Sequence, residues 1–493
     1  MVTSTQSDGI TDGGLVRPLF HLAWPIVVTQ LLQVAYNVAD AFWLGRYSAN
    51  AVGAISLAFP LIFFLIAFGG GFNVAGSTLV AQYMGADSDG SAGKVGGQTL
   101  GFVVTIGVVL SVVGHFGAGP MLSLFPSNVA TATDVVPLAE QYMEIFFLGL
   151  PFMFGFLAFS ALLRGYGDTR TPMRVMAITV VLNVVLDPIL VFGVGSVPAL
   201  GIEGQLVPEM GIEGAAVATL VARAVGGLVG VYVLFFTDTG PDVRLAHLAP
   251  DLDYIEDIVR IGVPSALEQS AGALAMVMLT VMIVTFEPAV IAAYGLGNRL
   301  ISLVFLPAVG LGKATNTMVG QNLGAGKADR AERAVKLAAK VGAGVMLALA
   351  VLAALFPKPI VEVFMATGTA EATRTVEYAS EYLRIRTIEF AFIGVFQVLV
   401  GAYRGAGNTK IAMALSMITL WLIRVPAVYL LAFETSLGPT GIWIGVALGH
   451  IVGAIAAAVW FTRGTWKEAV IDSDQTNSSV GSEPEADRAV AED

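Results

Sequence analysis

The sequence predicts an all-α polytopic membrane protein in which twelve transmembrane helices form two pseudo-symmetric six-helix lobes. Its 493 residues are 56% hydrophobic and only 13% charged, about half of the charged fraction that soluble domains carry. Apolar runs near the roughly 20 residues that cross a bilayer recur along the whole chain. Several stretches of sequence also return about 240 residues later. Together these observations indicate a duplicated helical fold embedded in a membrane.

Polar breaks divide the apolar sequence into twelve candidate spans. Lys and Arg concentrate in alternate connections between them, and basic connections stay on the cytoplasmic side. We therefore expect a multi-pass protein of the cell membrane with both termini in the cytoplasm. Residues 1–17 lack the basic start and cleavage site of a signal peptide, so the first span is expected to remain as an anchor. The predicted spans are 18–44, 51–82, 95–118, 135–161, 172–197, 212–236, 256–285, 289–320, 333–356, 373–400, 410–433 and 440–463.

An internal repeat divides the chain into two lobes. The stretch LVAQYMGA (79–86) returns as MVGQNLGA (318–325), and LLRGYGDTRTPM (162–173) returns as GAYRGAGNTKIAM (401–413). Six spans, an even number, separate the copies, so both lobes cross the membrane in the same sense and enclose a cavity. The predicted domains are a cytoplasmic N-terminal segment (1–17), a first lobe (18–237), a cytoplasmic linker (238–255), a second lobe (256–463) and a disordered, acidic cytoplasmic tail (464–493).

Composition excludes several classes of function. The chain has no cysteine, which excludes disulfides, thiolate metal sites and thiol catalysis. The sequence contains no phosphate-binding glycine loop and no nucleophile–base arrangement, so we expect no enzyme activity, no cofactor and no ATP-driven step. The net charge of −11 lies mainly in loops and the tail. It favours a salt-loving organism, a halophilic archaeon, as the source; the alternative is that the acidic exterior only keeps an apolar protein soluble. We expect no nucleic-acid partner.

Two aspartates lie inside predicted spans. Asp40 belongs to the apolar stretch LLQVAYNVADAFWLGR (31–46), and Asp187 belongs to LNVVLDPILVFG (182–193). An acid at membrane depth costs about 2.5–3.5 kcal/mol on insertion scales. Alignment of the two halves places Leu279 opposite Asp40 and Val425 opposite Asp187, so the packing of a lobe does not require either acid. We therefore predict that both acids carry a function that belongs to the first lobe alone.

Polar side chains gather around both acids at helical spacing. Two neighbouring carboxyls can hold a proton, or a small cation such as Na⁺ with hydroxyl, amide and carbonyl oxygens as further ligands. Pro188 lacks an amide hydrogen, which frees the carbonyl of Val184 and predicts a local bend. The predicted partners of the acids are Tyr36, Asn183, Thr219 and Ser160. The residues predicted to line a substrate cavity are Gln33, Asn37, Met276 and Met278, the methionines because they adapt to varied shapes.

Other charged residues fall inside predicted spans, and the sequence leaves their roles open. Arg386 and Glu389 are three residues apart and can neutralise each other. Lys313 and Arg424 can line a cavity or reach the membrane surface with their long side chains. His450 is expected to be a satisfied buried side chain, and the sequence assigns no role to Glu268.

Four stretches together resemble the multidrug and toxic compound extrusion (MATE) family: LAWPIVVTQLLQVAYNVADAFWLGR, LLRGYGDTRTPM, LNVVLDP and GIEGAAVAT. The resemblance covers about residues 17–463, and the first-lobe acids look most like its DinF-like branch. It implies an antiporter that expels organic cations and drugs against H⁺ or Na⁺. Nothing in the sequence requires more than a monomer embedded in lipid.

The resemblance also implies roles for individual residues. Asp40 and Asp187 would take the coupling ion, and Pro25 would be the point at which the first helix bends. Relatives often carry an amide where this chain has Ser160, which weakens the case for Na⁺ and favours H⁺. Asn183, Tyr36 and Thr219 would form the network around the two acids.

The main alternative is a flippase for lipid-linked oligosaccharides from the same superfamily. Such a protein must hold a pyrophosphate and therefore needs a basic cavity. The basic cavity that this alternative requires could be formed by Arg299, Lys313 and Arg424 of the second lobe. The first-lobe acids argue against it. A channel is disfavoured because acids present in one lobe cannot form a symmetric ring.

Overall fold

The computed structural model describes residues 9–123, 133–195, 205–365 and 369–471. Within these residues, eleven helical segments are long and apolar enough to cross a membrane, and one bent pair adds a twelfth. This confirms the predicted all-α fold of twelve transmembrane helices. The helices are α1 (Val16–Tyr47), α2 (Ala49–Gly85), α3 (Asp89–Leu122), α4 (Val136–Leu148), α5 (Leu150–Tyr166), α6 (Arg170–Phe192), α7 (Gly211–Phe236), α8 (Leu252–Ile283), α9 (Pro288–Gly324), α10 (Ala328–Leu355), α11 (Pro357–Glu362), α12 (Ala370–Arg386), α13 (Phe390–Gly405), α14 (Thr409–Met417), α15 (Val425–Phe433) and α16 (Pro439–Phe461).

Three predicted spans are interrupted helices. The fourth bends by 52° between α4 and α5, where Pro151, two residues after Gly149, removes a backbone donor. A short 3₁₀ turn separates α12 from α13 in the tenth span. A π-helical segment, Ile418–Arg424, separates α14 from α15 in the eleventh, and such segments are frequent at functional sites. The predicted end of the fifth span, at residue 197, lies outside the described residues.

The two lobes pack along their long helices. Helix α2 lies against α8, and both α1 and α2 contact α9. These contacts bring α1, α2, α8 and α9 to the interface between the lobes. The interface follows the internal repeat. The contact of α1 with α9 is the counterpart of the contact of α2 with α8, and the equivalent helices α2 and α9 also meet each other.

Four side chains join the lobes at the end of the molecule where the first and last described residues, 9 and 471, lie; we call this end the side of the termini and the four side chains the terminal gate. Each belongs to α2 or α9, and each donates a hydrogen bond to a backbone carbonyl at the end of α5 or α13. The pattern follows the sequence repeat, so each bond has a counterpart in the other lobe. The bonds run from Thr78 to Arg404 (2.8 Å), from Thr317 to Arg164 (3.0 Å), from Gln82 to Gly405 (3.0 Å) and from Gln321 to Gly165 (2.9 Å).

Two glycines allow α2 and α9 to approach closely at the gate. A Cβ atom on Gly85 would meet the carbonyl of Gln321, and one on Gly324 would meet the carbonyl of Gln82. A side chain at either position would force the helices apart. Both glycines belong to the repeated stretch, LVAQYMGA in one lobe and MVGQNLGA in the other.

Residues 464–471, predicted to begin a disordered tail, instead pack against the gate. The backbone amides of Val470 and Ile471 donate to Oε1 of Gln82 at 2.8 and 3.4 Å. Trp466 is completely buried and stacks on Phe461. The composition of the tail did not predict these contacts, because one aromatic ring and two backbone amides hardly change the average polarity of the segment. Residues 472–493 lie outside the described residues.

Candidate functional site

Asp40 and Asp187 come together between α1 and α6. Asp187 is completely buried, and Nδ2 of Asn183, one turn earlier, donates a 3.2 Å hydrogen bond to its Oδ1. The side chain of Asp40 lies close to both Asp187 and Asn183. Among the described residues, neither carboxyl group forms a salt bridge. We call Asp40 and Asp187 the acid pair.

Tyr36 and Thr219 lie beside the acid pair. Tyr36 is one turn before Asp40 on α1, and Thr219 approaches its hydroxyl from α7. Both side chains are buried. Five buried oxygens of this cluster have no hydrogen-bond partner among the described residues: Tyr36 Oη, Asp40 Oδ1, Asn183 Oδ1, Asp187 Oδ2 and Thr219 Oγ1. Because buried polar atoms in proteins are nearly always paired, this convergence marks a place where a proton, a cation or water is held.

Two residues that were not predicted from the sequence as partners of the acids also reach this cluster. Tyr142 of α4 is buried close to the acid pair. The guanidinium of Arg223 lies 4.7 Å from the ring centre of Tyr36 and donates a 3.0 Å hydrogen bond to Oε1 of Gln33. Arg223 follows Thr219 by one helical turn, so its spacing could have placed it here. The sequence carries no comparable signal for Tyr142.

A cavity of about 770 Å³ lies between the lobes, and we call it the central cavity. Gln33, Ser160 and Met276 line it. Asn37 is exposed and accepts a 3.2 Å hydrogen bond from Gln33, and Met278 is 40% exposed on α8. Neither Asn37 nor Met278 belongs to the described lining of the central cavity. For Met278 the reason is helical geometry: two residues turn a helix by about 200°, so Met278 points away from the face that carries Met276.

The remaining predicted residues take simple positions. Ser160 forms no hydrogen bond with either acid among the described residues and contributes to the cavity wall. Pro25 and Pro188 lie inside α1 and α6, both of which continue without interruption. The hydroxyl of Thr29 donates a 2.8 Å hydrogen bond to the carbonyl of Pro25.

The second lobe holds a separate buried network of charges. Arg386 forms an ion pair with Glu389, and Nδ1 of His450 lies 2.7 Å from Oε2 of Glu389. Arg424 and His450 line a second cavity of about 530 Å³ beside the central cavity. Glu268 is held by Arg404 at 2.9 Å and by Ser416 at 2.5 Å. The structure thus pairs Arg386 with Glu389, and it gives Glu268 a basic partner that the sequence did not indicate.

Comparison with known proteins identifies the family. The protein-family profile MatE matches residues 25–189 and again 264–430, once in each lobe. A probable multidrug resistance protein of Bacillus subtilis, YpnP, is 29% identical over 460 residues, which cover 93% of this chain and 97% of that protein. An FAD transporter of Shewanella oneidensis is 24% identical over 91% of this chain and 94% of its own.

A solved structure agrees with the sequence matches. The crystal structure of a MATE transporter in complex with MaL6 superimposes with a TM-score of 0.85 and 25% identity, and the match covers 94% of this chain and 98% of that one. The duplicated fold and the duplicated profile match describe the same two lobes. The chain therefore belongs to the MATE family of multidrug efflux transporters and is not an enzyme.

Proposed function

We propose that the protein is a secondary exporter driven by an H⁺ gradient and that the acid pair carries the coupling proton. The observation that carries this proposal is the set of five buried oxygens around Asp40 and Asp187 that have no hydrogen-bond partner within the described part of the chain. Two carboxyls at close range can share one proton, and the same oxygens would coordinate Na⁺ if that were the coupling ion. Either ion changes the local charge by one.

Helix α1 connects the acid pair to the interface between the lobes. Asp40 and Tyr36 lie near its end, whereas Val27 and the carbonyl of Ala23 pack against Gly310 of α9 in the other lobe. Thr29 and Gln33 of the same helix line the central cavity. A change of charge at the acid pair therefore acts on a helix that touches both the cargo cavity and the second lobe, which is the link that alternating access requires.

The cavity offers features that suit cationic cargo and features that suit anionic cargo. Organic cations are the cargo that the family resemblance implies, and the cavity wall offers them aromatic and apolar surface from Phe63, Phe156 and Phe305. The lining nevertheless contains basic side chains, which favour a second candidate function, the flipping of a phosphate-bearing lipid. The FAD transporter of Shewanella oneidensis supports a phosphate-bearing cargo within this family.

Transport by the purified protein in liposomes tests the coupling. An H⁺ gradient and a Na⁺ gradient are imposed separately while ethidium, a cation, and riboflavin 5′-phosphate, an anion, are followed by fluorescence. We expect the H⁺ gradient to drive transport and Asp40→Asn and Asp187→Asn each to abolish the coupling. Asp238→Asn, a change at an exposed loop position, serves as the matched control. Wild-type coupled transport in both site variants would reject the proposal.

A further inference from the structure

The central cavity is basic. Its lining includes four cationic side chains, Arg164, Arg223, Lys313 and Arg404, and no Asp or Glu belongs to its described lining. Arg223 faces the amide of Gln33 and the ring of Tyr36. The other three cations come from both lobes, and we call Arg164, Lys313 and Arg404 the basic triad.

The three positive charges of the basic triad have fewer acidic partners than they need for neutrality. Arg404 has Glu268 as its partner at 2.9 Å. Arg164 and Lys313 have no salt-bridge partner in the described part of the chain, and the Nε of Arg164 is buried without a hydrogen bond. Arg164 and Arg404 are both near enough for their charges to act on Lys313. A buried charge without an opposite charge nearby costs free energy, so unpaired cations on a cavity wall point to an anionic ligand.

The position of the triad connects it to the moving parts. Arg164 and Arg404 are equivalent residues of the two repeats, and their backbone carbonyls accept the gate hydrogen bonds from Thr317 and Thr78. Their side chains therefore lie at the floor of the cavity, where the lobes close. A ligand bound there would contact both lobes at once.

Packing does not account for the lysine. Lys313 lies five residues before the repeated stretch that begins at Met318, and Val74 lies five residues before the equivalent stretch that begins at Leu79. Val74 also lines the central cavity. Since an apolar side chain fills the equivalent place in the first lobe, the scaffold forms without a charge at this position.

We propose that the central cavity binds organic anions, with a phosphate or carboxylate group on the basic triad. The apolar body of the ligand lies against Phe63, Phe156 and Phe305, and the volume of about 770 Å³ suits a drug-sized molecule. The substrate class assigned here rests on the proposed export function. The anionic group belongs either to a soluble metabolite or to a lipid headgroup, since both present the same phosphate chemistry to arginine and lysine.

Binding to the detergent-solubilised, full-length protein tests the charge preference without any ion gradient. Riboflavin 5′-phosphate and riboflavin share one fluorescent ring and differ by the phosphate. Hydrogen bonds to a charged phosphate are among the stronger ones in proteins, so we expect the phosphate form to bind at least about tenfold more tightly. Lys313→Gln should remove this preference. Arg299→Gln, a change at an exposed position of the same helix, should leave it intact.

A second arm separates the two sources of the anion. Liposomes that carry a fluorescent phosphatidic acid report flipping by the wild type and by the Lys313→Gln variant. Preference for soluble riboflavin 5′-phosphate assigns a soluble cargo, whereas Lys313-dependent flipping without that preference assigns a lipid. The proposal would be overturned if both flavins bound equally and no lipid were flipped. It would also be overturned if the wild type showed no preference for the anion and the Lys313→Gln variant bound ethidium more tightly than the wild type. Because binding is measured at equilibrium, a failure of the acid-pair coupling would leave this result unaffected.

Discussion

Gln321 provides a direct test of the terminal gate. Its Nε2 donates to the carbonyls of Gly165 and Tyr166 at 2.9 and 3.1 Å, and the side chain is completely buried between the lobes. We predict that Gln321→Leu weakens the closed gate and raises the population of the state in which the cavity opens on the side of the termini.

The size of the effect follows from the hydrogen bonds lost. Each contributes about 1 kcal/mol net, so removal of both destabilises the closed gate by about 2 kcal/mol. In the open state water satisfies the same carbonyls, so the substitution has little effect there. The ratio of open to closed molecules should therefore rise by about thirtyfold.

The natural absence of cysteine makes the assay simple. A single cysteine, Gln269→Cys, places a thiol on the wall of both cavities. A membrane-impermeant maleimide added on the side of the termini labels it only when the gate is open. The labelling rate of Gln321→Leu should exceed that of the parent by a factor approaching the change in population.

Gln98→Leu is the matched control. Gln98 is also buried on the side of the termini and also donates two hydrogen bonds, to the carbonyls of His247 and Ala249, but these lie in the linker rather than in the second lobe. This variant should lose folding stability without faster labelling. If Gln321→Leu left the labelling rate unchanged, or if both variants raised it equally, the hydrogen bonds of Gln321 would not be what holds the gate closed.

Two further predictions concern the tail and the second-lobe charges. Truncation after Gly464 removes the amides that bind Gln82 and should speed labelling of the same cysteine, whereas truncation after Ile471 should not; equal rates would show that residues 465–471 do not hold the gate. Glu389→Gln leaves Arg386 buried without its carboxylate and should lower the free energy of unfolding by about 3 kcal/mol or more. Glu362→Gln, in an exposed pair with Lys358, should change it by less than about 1 kcal/mol in the same thermal-unfolding series; similar losses in both variants would contradict the reasoning.

The gate and the basic triad share the same two residues. Arg164 and Arg404 offer their carbonyls to the gate and their side chains to the cavity. An anion held between the two guanidinium groups would therefore act on the helix ends that the gate joins. In the proposed binding mode, cargo binding would influence the opening of the gate, because binding and closure would use the same segments of α5 and α13.

Features that depend on one residue or on one repeating period of the sequence could be predicted. The apolar runs predicted the twelve helices, and the repeat predicted two lobes, because a bilayer requires continuous apolar helices of a minimum length. Asp40, Asn183 and Asp187 could be selected because a polar residue at membrane depth is expensive and the repeat showed that the scaffold does not need it. The structure places these three together on α1 and α6.

Tertiary structure decided the features that depend on distant residues. Tyr142 reaches the acid pair from a helix bent by 52°, and no period in the sequence reports that bend. The three cations of the basic triad are separated along the chain, and both Arg164 and Arg404 lay in predicted connections rather than in spans. The sequence by itself therefore determined the spans, the duplication and the costly acids, which are local properties of one helix. Only the packing of one lobe against the other determined the sign of charge in the cavity, because that charge is the sum over side chains from both halves.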